Sequence, residues 1–265
     1  MDSSDAARRR ALDQAFGESS DEEEANDGDA LVSALENKRA RWESVQEIAG
    51  LWICRDFLSE AQQSALLSAV DGERWFSGSF HNQAMRFGDL PEWATELARL
   101  VRKAVCFGES SLKGDKDLVV EDQCMEEPCP LPFDLLWREP LFDQLIVNVY
   151  KPGEGICAHV DLMRFEDGIA IISMESTCVM HFSHSKHVLN PAGNQEEDAG
   201  EGSYTRIPVL LNPGSLILMS GEARYLWKHE INRKPGFQIW EGKEIDQQRR
   251  TSVTLRKLCS SPHQN

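Results

Sequence analysis

Residues 145–161 read "LIVNVYKPGEGICAHVD". The first six, Asn148 apart, are aliphatic or aromatic with three β-branched residues, "KPGEG" is a turn composition, and "ICAHVD" resumes an extended pattern, so the stretch is read as strand, turn, strand. Side chains alternate along a strand, which puts Asn148 and Tyr150 on one side and His159 and Asp161 on one face. An imidazole and a carboxylate on the same face can grip one ion, and a metal site is expected there.

The same pattern continues on both sides. "QLIVNVY" (144–150), "IAIISME" (169–175), "TCVMHFS" (177–183), "RIPVLL" (206–211) and "SLILMS" (215–220) are short apolar runs broken by Gly, Pro, Asn and Asp. Several short strands at close spacing predict a sandwich or barrel. The polar insert 184–204 between two of them reads as a loop. Upstream, "IAGLWICRDFL" (48–58) is a strand candidate, and "SEAQQSALLSAV" (59–70) is a helix with Ser59 as N-cap. A second helix is expected over 89–105, where Leu90, Trp93, Leu97, Leu100, Val101 and Val105 recur at three-to-four spacing. Residues 114–134 read as a loop. The expected class is mainly β with flanking helices, α+β. It divides into an acidic disordered tail (1–30), a helical lead-in (31–47), an N-terminal region (48–141) and a β core (142–265).

Composition narrows the function classes. The 265 residues carry a formal net charge of −16, of which residues 1–40 hold −6, so the body itself is acidic. Tight nonspecific binding to duplex phosphate would need a local basic patch against that field. No apolar run reaches the 18 or more residues of a membrane span, and "MDSSDAARRRALDQ" lacks the apolar stretch of a secretory signal. The seven cysteines are scattered without a CxxC pair and read as free thiols, so a nuclear or cytoplasmic location is expected.

Other residues join the His159 and Asp161 pair. His229, in "RYLWKHEI", follows an apolar strand and offers a second imidazole. Two histidines and one carboxylate leave open positions on a metal, the preference of non-haem Fe(II) oxygenases. In "RRTSVTLRKL" (249–258), Arg250, Ser252, Thr254 and Arg256 alternate with Val253 and Leu255. Two guanidiniums on a buried face would be costly without anions, and a dicarboxylate would satisfy both. Taken singly, each has a plainer reading: an isolated histidine as a hydrogen-bonded core or surface residue, the arginines as a solvated strand face.

In this order along the chain, "LIVNVYKPGEGICAHVD", "LILMSGEARYLWKHEI" and "RRTSVTLR" resemble the AlkB family of Fe(II)- and 2-oxoglutarate-dependent dioxygenases. The likeness is nearest to its eukaryotic RNA-acting homologues, in particular the AlkB domain of the tRNA wobble-uridine homologue. It spans roughly residues 48–258. The resemblance implies a double-stranded β-helix, or jelly roll, with the N-terminal region as a substrate-covering lid. It implies Fe(2+) held by His159, Asp161 and His229, and 2-oxoglutarate held by Arg250 and Arg256 with Asn148, Tyr150 and Thr254, with O2 as the second co-substrate. Two positions depart from the family's habit. Ser252 stands where Asn is frequent, and Glu175 replaces a small residue, which is expected to alter the pocket wall.

The lid falls on "WFSGSFHNQAMRFGDLPEW" (75–93), where Phe80, Arg86 and Phe87, with Arg164 beyond the HVD, offer stacking faces and cations to an unpaired base. The same aromatics read equally as core beneath a loop. Three functions stay open. One is an oxygenase acting on RNA or other single-stranded nucleic acid, by demethylation or hydroxylation. A second is a protein-modifying oxygenase of the same fold, which an acidic body would suit. The third is a non-catalytic binding module with a relic site. An accessory protein partner is compatible with each.

Overall fold

Short β-branched runs can bury both faces only if something covers each, and here a sheet covers one and helices the other. The computed structural model describes residues 40–77, 82–111, 129–184, 206–234 and 236–259. Its first elements are β1 (Arg41–Ser44), β2 (Leu51–Cys54), α1 (Glu60–Gly72), β3 (Gln83–Phe87), α2 (Glu92–Phe107) and β4 (Glu109–Ser111). A one-turn α3 (Phe133–Leu136) leads to β5 (Gln144–Tyr150), β6 (Ile156–His159), β7 (Ile169–Met174), β8 (Cys178–His184) and β9 (Arg206–Leu211). β10 (Ser215–Met219), α4 (Gly221–Tyr225), β11 (Trp227–Ile231), the two-residue β12 (Ile239–Trp240) and β13 (Lys243–Glu244), and β14 (Arg250–Arg256) complete the chain.

An eight-stranded sheet runs β3-β5-β14-β7-β10-β2-β1-β4, and a four-stranded sheet runs β6-β11-β8-β9. All pairings are antiparallel except β1 with β4. Together the two sheets form the expected double-stranded β-helix, or jelly roll. β7 shows why its sequence reads as an unbroken apolar run: all six residues are buried. Ile169 and Ile171 pack between the sheets with Ile53, Ile217, Met180 and Phe182. Ala170, Ile172 and Met174 point the other way, into a second core with the helices. Period two is present, but with both faces covered it is invisible as polarity.

The helices cover that second face. The capping box of α1 closes with Ser59 Oγ accepting from the Gln62 amide at 3.3 Å and Gln62 Oε1 accepting from the Ser59 amide at 2.9 Å. α2 presents Trp93, Leu97, Val101 and Val105 to the sheet, with Leu90 and Leu100 partly buried beside them. Each such side chain stabilises by about 1.5–3 kcal/mol on burial. Among the described residues no helix is long and apolar enough to cross a membrane.

Two expectations change. Of the helical lead-in over 31–47, residues 31–39 lie outside the described residues, as does the 1–30 tail, and Arg41–Ser44 form a strand. The physical reason is pairing: β1 hydrogen-bonds to β2 on one side and β4 on the other, and Trp42 is fully buried, so tertiary contacts override a weak local preference. The boundary at 141/142 does not separate a lid from a core either. β2 sits inside the large sheet between β10 and β1, and β3 pairs with β5 along its whole length.

Candidate active site

His159 closes β6 and His229 lies directly opposite it on β11, with the register shifting just beyond, between His229 and Ile231. The two rings lie 4.3 Å apart between centroids. Asp161 follows two residues later, past the end of the strand rather than within it. Its position comes from buried Arg224 on α4, whose guanidinium donates to the carbonyls of Asp161 (3.0 Å), Leu162 (2.8 Å) and Phe165 (3.1 Å). Strand alternation therefore finds the pair, but a clamp on the following turn aims the carboxylate.

One ligand atom from each of His159, Asp161 and His229 lies within 4.8 Å of the others. Bonds of about 2.1 Å to a shared ion bring such atoms roughly 3–4 Å apart, so the set suits an ion with little movement. His229 Nε2 is already 3.7 Å from Asp161 Oδ2. His159 Nδ1 lies 2.9 Å from the Cys157 carbonyl, which fixes the ring with Nε2 as the free lone pair. Burial pushes His229 down to about 4, with the neighbouring His159 adding to the effect and Asp161 opposing it. At neutral pH the ring is uncharged, the form that binds a metal. Asp161 Oδ1 accepts from Arg256 Nη1, leaving Oδ2 on the side of the histidines.

These side chains open into a cavity of about 120 Å³ that Asn148, Tyr150, Arg250, Ser252, Thr254 and Arg256 also line. The register explains the convergence. β14 pairs with β5, setting Arg250 opposite Tyr150 and Ser252 opposite Asn148, while Val253 and Leu255 enter the helical core. Arg250 is 4% exposed; its Nε donates to Ser173 Oγ at 2.9 Å, and its Nη2 is buried with no hydrogen-bond partner among the described residues. An orphaned guanidinium N–H costs more than a neutral one, so an anion in this cavity has a waiting partner. Burial raises the Tyr150 phenol, against the pull of Arg250 and Ser252, which keeps it a donor at neutral pH. Ile146, Ile171 and Met180 supply apolar walls. The chemistry of the donor set and the unpaired Arg250 both fit an iron centre with a dicarboxylate beside it.

Arg256 differs from expectation in its engagement, with Nη1 on Asp161 and Nε on Gln144 Oε1 at 2.6 Å. Glu175 does not form the pocket wall: at φ +72°, it turns its carboxylate to Arg249 and Thr251, on the face of β14 opposite Arg250 and Ser252. Among the lid residues, Phe80 lies outside the described residues. Arg86 faces away from Gln83 and Phe87 by strand alternation and stacks 4.9 Å above Trp75. Phe87 is 47% exposed, and Arg164 lies 5.5 Å from its ring centroid. Sequence reasoning missed Gln83, which lines the cavity and donates from Nε2 to Asn148 Oδ1 at 2.7 Å, and Gln144. Carrying the alternation of Tyr150 and Asn148 back along β5 reaches Gln144, whereas nothing in "HNQAMRF" marks an edge strand.

Residues 50–256 match the 2OG-Fe(II) oxygenase superfamily. Among individual proteins, the chain is 29% identical over 227 residues to the alkylated DNA repair protein ALKBH8 homolog of Arabidopsis thaliana, covering 83% of this chain and 61% of that one. It is 30% identical over 233 residues to the tRNA (carboxymethyluridine(34)-5-O)-methyltransferase alkbh8 of Xenopus tropicalis, covering 80% of this chain and 32% of that one. A 108-residue stretch, 38% of this chain and 47% of the other, is 28% identical to the N6-methyladenosine RNA demethylase ALKBH of Cryphonectria parasitica. The chain thus spans about three-fifths of the first relative's length and a third of the second's. The family match runs from β2 through β14 and takes in both sheets, and the chain belongs to the 2OG-Fe(II) oxygenase superfamily, with relatives that carry AlkB-homologue names.

Proposed function

We propose that His159, Asp161 and His229 hold the iron, that Arg250 receives a carboxylate of 2-oxoglutarate, and that the substrate is a modified base in unpaired RNA. The observation that carries the reading is the buried, unpaired Arg250 Nη2 in the same cavity as the three-ligand cluster. His229 presents a neutral imidazole, His159 leaves Nε2 free with Nδ1 on the Cys157 carbonyl, and Asp161 presents one oxygen while Arg256 occupies the other. Arg250 grips the co-substrate with a charge-assisted bond, Tyr150 donates its phenolic hydrogen alongside, and Asn148, held by Gln83, adds an amide. Ile146, Ile171 and Met180 keep the pocket dry. When bound, the iron supplies the oxidation in which 2-oxoglutarate and O2 give succinate and CO2, and one oxygen atom enters a substrate C–H bond. An N-methyl carbon so hydroxylated splits off as formaldehyde; another carbon remains an alcohol.

RNA as the substrate draws on the relatives whose names place them on tRNA and on N6-methyladenosine in RNA. It also draws on Phe87 and Arg164, which pair an exposed ring with a cation three residues beyond Asp161. An unpaired base reaches such a site without the cost of unstacking a duplex. A protein substrate is the second reading, favoured by the net charge of −16, which would attract a basic partner. The deciding experiment is succinate release from 2-oxoglutarate by Fe(II)-loaded protein in air, with modified tRNA, methylated single-stranded oligonucleotides or basic protein extract supplied separately. Stimulation by tRNA or oligonucleotide, abolished in Asp161→Ala, is expected. Stimulation by the protein extract alone would replace the RNA reading, and undiminished turnover in Asp161→Ala would remove the iron assignment.

A further inference from the structure

We infer that Gln144 is a positioning residue for the metal centre, fixing Arg256 so that Arg256 holds Asp161 with one carboxylate oxygen turned toward the metal. This rests on the assignment of Asp161 as a ligand. Gln144 is fully buried at the start of β5, opposite Arg256 in the β5–β14 register. Its Nε2 donates to the Leu145 carbonyl at 2.9 Å, which settles the sense of the amide and leaves Oε1 to accept from Arg256 Nε at 2.6 Å. The Arg256 guanidinium lies 4.0 Å from the Phe165 ring centroid, so one face is stacked. Pinned at Nε and stacked on Phe165, the planar group cannot rotate, and Nη1 stays on Asp161 Oδ1. Asp161 Oδ2 is then left facing His229 Nε2 at 3.7 Å.

A buried amide needs a reason. An apolar residue at 144 would suit the strand and its burial better, but it would leave the charged Arg256 Nε–H buried without a partner, which is costly. The amide therefore belongs to Arg256. Groups that orient a metal ligand from behind typically change metal affinity by about 10- to 100-fold when removed.

The test is Mn(II) binding by the full chain without 2-oxoglutarate, followed by electron paramagnetic resonance of free Mn(II), with thermal melting alongside. Gln144→Leu is expected to raise the Mn(II) Kd about tenfold or more, and Gln144→Glu, which keeps an acceptor for Arg256 Nε, to recover most of the loss. The 2-oxoglutarate Kd at saturating Mn(II) should stay at the wild-type value in both. Unchanged Mn(II) affinity in Gln144→Leu overturns the inference, as does equal weakening in Gln144→Glu, which would mean a packing effect. Should Gln144→Leu not fold, Gln144→Met, which keeps the side-chain length, takes its place, and loss of fold in both makes Gln144 structural and also overturns it. Wild-type protein whose Mn(II) binding is indifferent to Asp161→Ala would instead defeat the ligand assignment, whatever Gln144 does.

Discussion

Arg250 shows how one residue carries a function that its neighbours make necessary. It is buried on a sheet face, held at Nε by Ser173 and flanked by Tyr150, yet one Nη is left without a partner among the described residues. Hydrogen bonds to charged groups contribute about 1.5–3 kcal/mol, which corresponds to about a 10- to 100-fold change in affinity. Arg250→Met is therefore expected to raise the 2-oxoglutarate Kd by about that factor while leaving Mn(II) binding unchanged, both measured by titration calorimetry. Weakened metal binding with intact co-substrate affinity would reassign Arg250. The residue was legible in the sequence because "RRTSVTLR" alternates and an arginine on a buried face demands an anion. Gln83 and Arg224 were not. Their roles depend on which carbonyl or amide the fold brings to them, over sequence separations of 65 to Asn148 and 63 to Asp161.

Among the elements, β7 and α2 separate stability from chemistry. β7 divides two cores, one between the sheets and one beneath the helices. Leu97, fully buried on α2, belongs to the helical core, whereas His159 and His229 come from the other sheet and Asp161 from the turn after β6. Leu97→Ala is expected to cost about 2–5 kcal/mol in urea unfolding with the Mn(II) Kd of the folded protein unchanged. A fall in metal affinity under native conditions would mean that the helices shape the site directly. Most strands of the β core and both long helices could be read from apolar runs and period, with Ser59 capping α1, but β11, β12 and β13 could not. β1 could not, because "RWES" carries no alternation that a pairing between β2 and β4 would require in advance. β3 was hidden for a related reason: as an edge strand with mostly exposed residues, it has little apolar pattern to show.

For the whole molecule, the balance of charge sets how a nucleic acid would be held. A chain of net charge −16 repels a polyanion, and beside the cavity the cation facing Phe87 is Arg164. Phosphate contacts to single strands each contribute a slope of about −0.7 in log affinity against log salt concentration. One or two contacts predict a slope no steeper than about −1.5 for unpaired RNA, with affinity coming mainly from stacking, which is worth about 1–3 kcal/mol per base on an aromatic ring. The two contributions separate by mutation. Arg164→Ala should flatten the salt plot by about 0.7, while Phe87→Ala should lower affinity equally at every salt concentration and leave the slope unchanged. Fluorescence anisotropy of a short labelled oligoribonucleotide measures both. A steep slope untouched by Arg164→Ala would place the phosphate grip on another surface. A shallow slope lost with Arg164 would confine recognition to the few nucleotides at the cavity, as a field this negative requires.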